Sequence, residues 1–153
     1  MKKNILILCC GYPYQTDKGF GYHVSKKLEK MNLPENVEFL EVGESASMIP
    51  AFIADLEKLI VIDFFQTKDN PGTVVRLKIE EVPVTVDGLT DIAKSHFMDT
   101  LEHLKVHNQC PETVFIGVVP QDIQTESLSL TPEIEDKIPK VIDMILSEIQ
   151  GDK

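Results

Sequence analysis

Five short runs of apolar, mostly β-branched residues recur along the chain, and most of them do not alternate between apolar and polar positions. Such a run suits a strand that is buried on both of its faces, as strands of parallel sheets are. The segments between the runs carry apolar residues at helical spacing. The runs cover residues 5–9, 37–42, 59–64, 73–77 and 114–119.

Strands that alternate with helices predict an α/β fold, in which helices cover both faces of a mostly parallel, twisted sheet. We expect a single domain over residues 1–153, built as a three-layer sandwich around about five strands. The first helix begins at Phe20, a short second helix begins at Ser47, and a third follows Ser95. The last is predicted as one helix from Thr131, its N-cap, through Ile149. Residues 80–94 lack a strong period and are expected to form a long loop.

Composition excludes several classes of partner. The formal net charge is −10 and no basic cluster interrupts it, so nucleic acid and anionic membrane surfaces are not expected to bind. No apolar run is long enough to cross a bilayer, and residues 1–8 are too short for a signal peptide, which predicts a cytoplasmic protein. Cys9, Cys10 and Cys110 are the three cysteines. Their spacing favours neither a disulfide framework nor a zinc site, and Cys9 and Cys10 are expected to be small buried residues.

The carboxyl ends of the predicted strands are where a functional site is expected, because ligands of open α/β sheets bind beyond those ends. A glycine-containing segment, residues 11–21, follows the first strand, but it matches neither the dinucleotide nor the P-loop fingerprint. Its glycines are equally suited to positive φ angles and to close packing of helix on sheet. Asp63 ends an apolar run, where an ionised carboxylate is costly unless it is paired or binds a metal. His96 lies at the predicted start of the third helix, where the helix dipole favours the neutral, metal-binding imidazole.

Short motifs spread along the chain resemble those of the maturation endopeptidases of nickel-iron hydrogenases. The resemblance lies in their order and spacing, since none of them is specific alone. They are the first strand with its loop through Gly21, the third strand ending in Asp63, Pro71-Gly72-Thr73, Ser95-His96, Gly117-Val118-Val119-Pro120 and Leu130-Thr131-Pro132.

The resemblance implies a peptidase that removes the C-terminal tail of a hydrogenase large-subunit precursor once nickel has been installed there. It implies that Asp17, Asp63 and His96 are catalytic and contact the metal, and that Gly43 and Glu44 bind substrate. No tightly bound cofactor is expected, because the nickel belongs to the substrate; zinc, cadmium or nickel can occupy the site in vitro. The partner is the precursor, and the enzyme is expected to act as a monomer.

One residue departs from the family pattern: Lys18 occupies the position of the second acid of an acidic pair, which the family uses as a metal ligand. At about 6 Å and an effective dielectric near 20, two unit charges interact by roughly 3 kcal/mol, so a lysine there opposes a cation. Either Asp17 turns inward or Glu44 supplies the missing oxygen. The alternatives are a non-cleaving paralogue that binds the precursor and, less favoured, a small-anion or nucleotide-binding module that uses Lys18.

Overall fold

The computed structural model describes residues 4–43, 51–81 and 96–151. Its strands are β1 (Ile5–Cys10), β2 (Val37–Gly43), β3 (Lys58–Phe64), β4 (Val74–Lys78) and β5 (Glu112–Val118). Its α-helices are α1 (Phe20–Leu28), α2 (His96–Val106), α3 (Pro132–Glu135) and α4 (Ile138–Gln150). Three short 3-10 helices cover Thr16–Gly19, Ala51–Asp55 and Ile79–Glu81.

The five strands form one sheet in the order β2-β1-β3-β5-β4. Pairs β1–β2, β1–β3 and β3–β5 are parallel, whereas β4 lies antiparallel to β5 at an edge. This arrangement confirms the predicted α/β class and all five predicted strands. Residues of β1 are buried throughout, and those of β3 and β5 are buried after the first position, which is why their sequences do not alternate.

Each face of the sheet carries its own apolar core, so the domain has three layers. Alternate residues of β1, β3 and β5 pack with α1, α3 and α4 on one face. The other alternate residues, including Leu8 and Val61, pack with Leu101 and Leu104 of α2 on the opposite face. Within the described ranges, no helix is long and apolar enough to span a bilayer.

Two helix predictions need correction. The last helix is not continuous: α3 ends at Glu135 and α4 begins at Ile138. Pro139 explains the break, because a proline inside a helix has no N–H to donate and its ring clashes with the carbonyl four residues earlier. In the second predicted helix, the described residues Ala51–Asp55 form a 3-10 helix; its proposed cap, Ser47, lies outside the described residues, as does most of the loop predicted over residues 80–94.

A buried ion network ties α4 to the amino edge of the sheet. The Glu148 carboxylate lies 2.5 Å from both Lys58 Nζ and Arg76 Nε. Lys58 also lies 3.1 Å from Glu112 at the start of β5. Burial alone would raise the pKa of Glu148, but hydrogen bonds from Arg76 and Lys58 outweigh burial and hold this pKa below its usual value. The network therefore stabilises the fold at the edge opposite the predicted site.

Candidate active site

The strand order places a crevice between the carboxyl ends of β1 and β3. The strand that follows β1 in the chain, β2, pairs with one edge of β1, and the next strand, β3, pairs with the other edge of β1. The strand order therefore reverses there, and ligands of open α/β sheets bind at such a point. Gly11 follows β1 directly, and Asp63 is the sixth of the seven residues of β3.

Asp63 is a buried carboxylate, with only 2% of its surface exposed. Its Oδ1 accepts a hydrogen bond of 2.8 Å from the backbone N–H of Phe64. Strand alternation puts Asp63 on the same face of the sheet as Val61, which is the face that α2 covers. α2 begins at His96 and ends at Val106, shortly before β5 starts at the amino edge of the sheet. The His96 end of α2 is therefore the end directed toward Asp63.

The loop after β1 folds back against Gly11. The N–H of Tyr12 donates to the carbonyl of Lys18 across 2.9 Å. A Cβ atom at Gly11, where φ is +129°, would lie 2.3 Å from that carbonyl oxygen and 3.7 Å from Asp63 Oδ1. Only glycine fits there, and the close approach puts the Lys18 backbone beside the Asp63 carboxylate. Lys18 is half-buried.

The glycines of this loop serve packing. A Cβ atom at Gly21 would lie 2.0 Å from the carbonyl oxygen of Cys10, so α1 can approach the sheet only through a glycine. A phosphate cradle needs several free backbone N–H groups, and five of those in this loop are occupied. The N–H groups of five loop residues all donate to backbone carbonyls: Tyr12, Gln15, Thr16, Asp17 and Lys18. The anion-binding hypothesis for this loop therefore loses its physical basis.

Asp17, which the resemblance implies is a metal ligand, has both carboxylate oxygens engaged in hydrogen bonds. It is completely buried, and its Oδ2 accepts hydrogen bonds of 2.9 Å from the N–H groups of Gln121 and Asp122. Its Oδ1 accepts the Thr131 N–H at 2.8 Å, and the Thr131 hydroxyl donates to the same carboxylate. Metal binding would require these bonds to break. Asp17 thus fixes the loop after β5 to the loop after β1, and the idea that it turns inward as the missing ligand is not supported by this geometry.

The other predicted site residues are only partly described. Gly43 is the last residue of β2 and pairs in register with Cys10, so it borders the crevice. Glu44 lies outside the described residues. The backbone of His96 begins α2, but its side chain is outside the described part of the structure. Among the described side chains, no three of His, Cys, Asp and Glu are grouped closely enough to hold a metal.

Both strand-end cysteines are buried, as the sequence predicted, and all three cysteines are free thiols. Burial raises the pKa of Cys9 and Cys10, and the negative charges of Glu41 and Asp63 raise both values further. These thiols therefore stay protonated at neutral pH, and Cys9 and Cys10 pack as neutral groups in the cores on opposite faces of the sheet.

Sequence reasoning missed the union of two loops that are far apart in the chain. Gln15 and Ser127 form an isolated parallel β-bridge. The N–H of Ser127 donates to the carbonyl of Tyr14, and the Thr16 hydroxyl donates to the carbonyl of Thr125. Thr131 was the only residue in the sequence that hinted at this contact. It precedes α3 as predicted, but its hydroxyl donates to Asp17 and does not cap the helix.

Residues 22–148 match the family model described as hydrogenase maturation protease. The chain is 34% identical to a putative hydrogenase maturation protease of Methanocaldococcus jannaschii, over 97% of this chain and 98% of that one. It is 30% identical to the coenzyme F420 hydrogenase subunit delta of Methanothermobacter thermautotrophicus, over 95% and 94% of the two chains. Among solved structures, the Escherichia coli hydrogenase maturating endopeptidase HybD superposes with a TM-score of 0.82 at 25% identity, covering 97% of this chain and 93% of that one.

These matches span nearly the whole chain and include the strands whose ends form the crevice. The chain is therefore a member of the hydrogenase maturation protease family, a family of peptidases that act in hydrogenase maturation.

Proposed function

We propose that this peptidase removes the C-terminal tail of a nickel-iron hydrogenase large-subunit precursor after nickel has been installed, and that Asp63 and His96 contact that nickel. The observation that carries the proposal is the buried Asp63 carboxylate at the switch point of the sheet. We further propose that the enzyme works as a cytoplasmic monomer without a metal of its own.

Electrostatics support this role for Asp63. An ionised carboxylate with 2% exposure is costly unless a cation or several donors compensate for its lost hydration. Asp63 accepts the Phe64 N–H and makes a further contact in the free chain, and the nickel of a docked precursor would add a positive charge at the open end of the crevice. A histidine at the first position of α2 suits the same ion, because the positive end of the helix dipole favours the neutral imidazole.

The absence of the usual second acid is compatible with this proposal, because the precursor itself already holds its nickel. The peptidase then needs to add few ligands, and two contacts are enough to align the tail over the crevice. In the reaction, water attacks the scissile carbonyl carbon, the C–N bond breaks, and the leaving amine takes up a proton. Asp17 is left out of the proposed metal contacts because its oxygens are engaged by Gln121, Asp122 and Thr131.

A comparison of two precursor forms tests the function. The purified chain is incubated with large-subunit precursor that either contains or lacks nickel, and the masses of the products are measured. We expect loss of the tail from the nickel-loaded form only. Cleavage of both forms at equal rates would contradict the role of nickel.

The substitution Lys18→Glu is expected to strengthen divalent-ion binding. It restores a carboxylate at the family's ligand position beside Asp63 and removes a cation, which at roughly 3 kcal/mol per charge pair corresponds to about 100-fold or more in affinity. Calorimetric titration with Ni²⁺ and Zn²⁺ measures the change. Lys30→Glu, an equal change of charge at an exposed residue just beyond α1, is the control and should leave affinity nearly unchanged. Equal effects of the two variants would show that only net charge matters.

Two observations favour a second candidate, a paralogue that binds the precursor without cutting it. Lys18 replaces an expected ligand, and one relative carries the name of a hydrogenase subunit. In the precursor experiment, this candidate predicts a stable complex with the nickel-loaded form and no loss of mass.

A further inference from the structure

Two exposed apolar side chains, those of Tyr14 and Leu128, lie on two loops that are hydrogen-bonded to each other. Among the described residues, four large hydrophobic side chains are exposed: Tyr14 (55%), Leu40 (37%), Val106 (75%) and Leu128 (61%). Tyr14 and Leu128 lie on the two bridged loops, because the N–H of Ser127 donates to the carbonyl of Tyr14 at 3.0 Å. The Tyr12 ring packs on that of Tyr14, with 5.3 Å between centroids. We call Tyr12, Tyr14 and Leu128 the loop patch.

The loop patch is held in place before any partner arrives. Its two loops are joined by the Gln15–Ser127 bridge, by the Asp17 N–H donating to the Asp122 carbonyl, and by the buried Asp17 carboxylate. Exposed tyrosines on a fixed backbone offer a large contact area at low entropic cost, which is typical of protein-binding surfaces.

The loop patch is continuous with the site. The N–H of Tyr12 donates to the carbonyl of Lys18, which lies against Gly11, and Gly11 lies against Asp63. The loop that carries Tyr12 and Tyr14 therefore adjoins Asp63, so a precursor whose nickel reaches Asp63 docks against this loop. The exposed Glu126 and the net charge of −10 favour basic residues at the margin of the bound segment.

We propose that the loop patch binds apolar residues flanking the scissile bond of the large-subunit precursor and thereby helps to select the client. This inference rests on the proposed function. It names the surface that recognises the substrate, whereas Asp63 and His96 address only the nickel.

Affinity measurements test the inference separately from cleavage. Nickel-loaded precursor with its tail is titrated against chains that carry Asp63→Asn, to prevent cutting, with or without Tyr14→Ser plus Leu128→Ser. We expect the double substitution to raise Kd at least tenfold with no change in melting temperature, since both side chains are exposed. Val106→Ser, the matched control at the far end of α2, should change Kd less than twofold.

A double variant that binds the precursor as tightly as the control would overturn the inference. So would a double variant that merely dissociates a dimer of this chain in analytical ultracentrifugation, because the loop patch would then serve self-association. If the intact patch binds the precursor but the wild-type chain never cuts it, the proposed proteolysis fails and the loop patch stands. If the wild-type chain cuts and the double variant has an unchanged Kd, the proteolysis stands and the loop-patch proposal fails. If neither the wild-type chain nor the Asp63→Asn chain binds the precursor, both proposals fail.

Discussion

Asp63→Asn is expected to reduce tail removal by about 10³-fold or more. The substitution keeps the shape of the side chain and the acceptor for the Phe64 N–H, but it removes the negative charge. One charge pair at about 4 Å and an effective dielectric near 20 contributes roughly 4 kcal/mol, which corresponds to this factor in rate if the contact with nickel forms in the transition state. Mass spectrometry of nickel-loaded precursor over time measures the effect.

Asp55→Asn provides the control for Asp63, because Asp55 is an exposed carboxylate near the amino edge of the sheet, just before β3. It should cut at the wild-type rate. The Asp63 variant should also melt within a few degrees of the wild type. Cleavage by Asp63→Asn within tenfold of the wild-type rate would remove Asp63 from the proposed mechanism.

Asp17→Asn is expected to lower the free energy of unfolding by about 3 kcal/mol, the largest stability effect that we predict. Its oxygens face three backbone N–H donors, so either orientation of an amide places an NH₂ group against at least one of them. A hydrogen bond to a charged acceptor contributes roughly 1.5–3 kcal/mol, and an unpaired buried donor costs more. In a chain of this size the melting temperature should fall by roughly 6–12 °C. Thermal unfolding followed by circular dichroism measures it.

Asp122→Asn is the matched control in the same loop. The Asp122 carboxylate also accepts two backbone N–H groups, those of Gln124 and Thr125, but it does so at the surface. These bonds hold the pKa of Asp122 below its usual value, yet their loss in water should lower the melting temperature only slightly. If Asp17→Asn kept the wild-type melting temperature and instead lost metal affinity, Asp17 would be a ligand as the family resemblance implied.

The order of strands and helices could be predicted from the sequence, because it depends on patterns among neighbouring residues. Non-alternating apolar runs predict doubly buried strands, and Asp63 at the end of such a run stands out because burial of a charge needs a reason. The break before α4 was also readable in principle, since Pro139 lies within the helical pattern. The stripe of apolar residues from Ile134 to Ile149 predicts one continuous helix, but Pro139 interrupts it.

The site depended on contacts that no local pattern records. Asp17 and Thr131 bind each other across 114 residues, and Tyr14 and Leu128 come together because two loops share a β-bridge. The sequence shows Asp17 only as an acidic residue next to Lys18. It does not show that the Asp17 carboxylate is buried and accepts three backbone N–H groups.

The sequence by itself determined the sheet and the position of Asp63, because apolar periodicity and strand ends are properties of neighbouring residues, and the order of its short motifs indicated the family. The tertiary structure decided that Asp17 is an anchor between loops and that Tyr14 and Leu128 share a surface, since hydrogen bonds between distant loops form only once the chain has folded. For the same reason, the position of the Lys18 backbone beside Gly11 and Asp63 follows from a contact in the folded domain. The metal-binding experiments test whether the charge of Lys18 opposes a cation there.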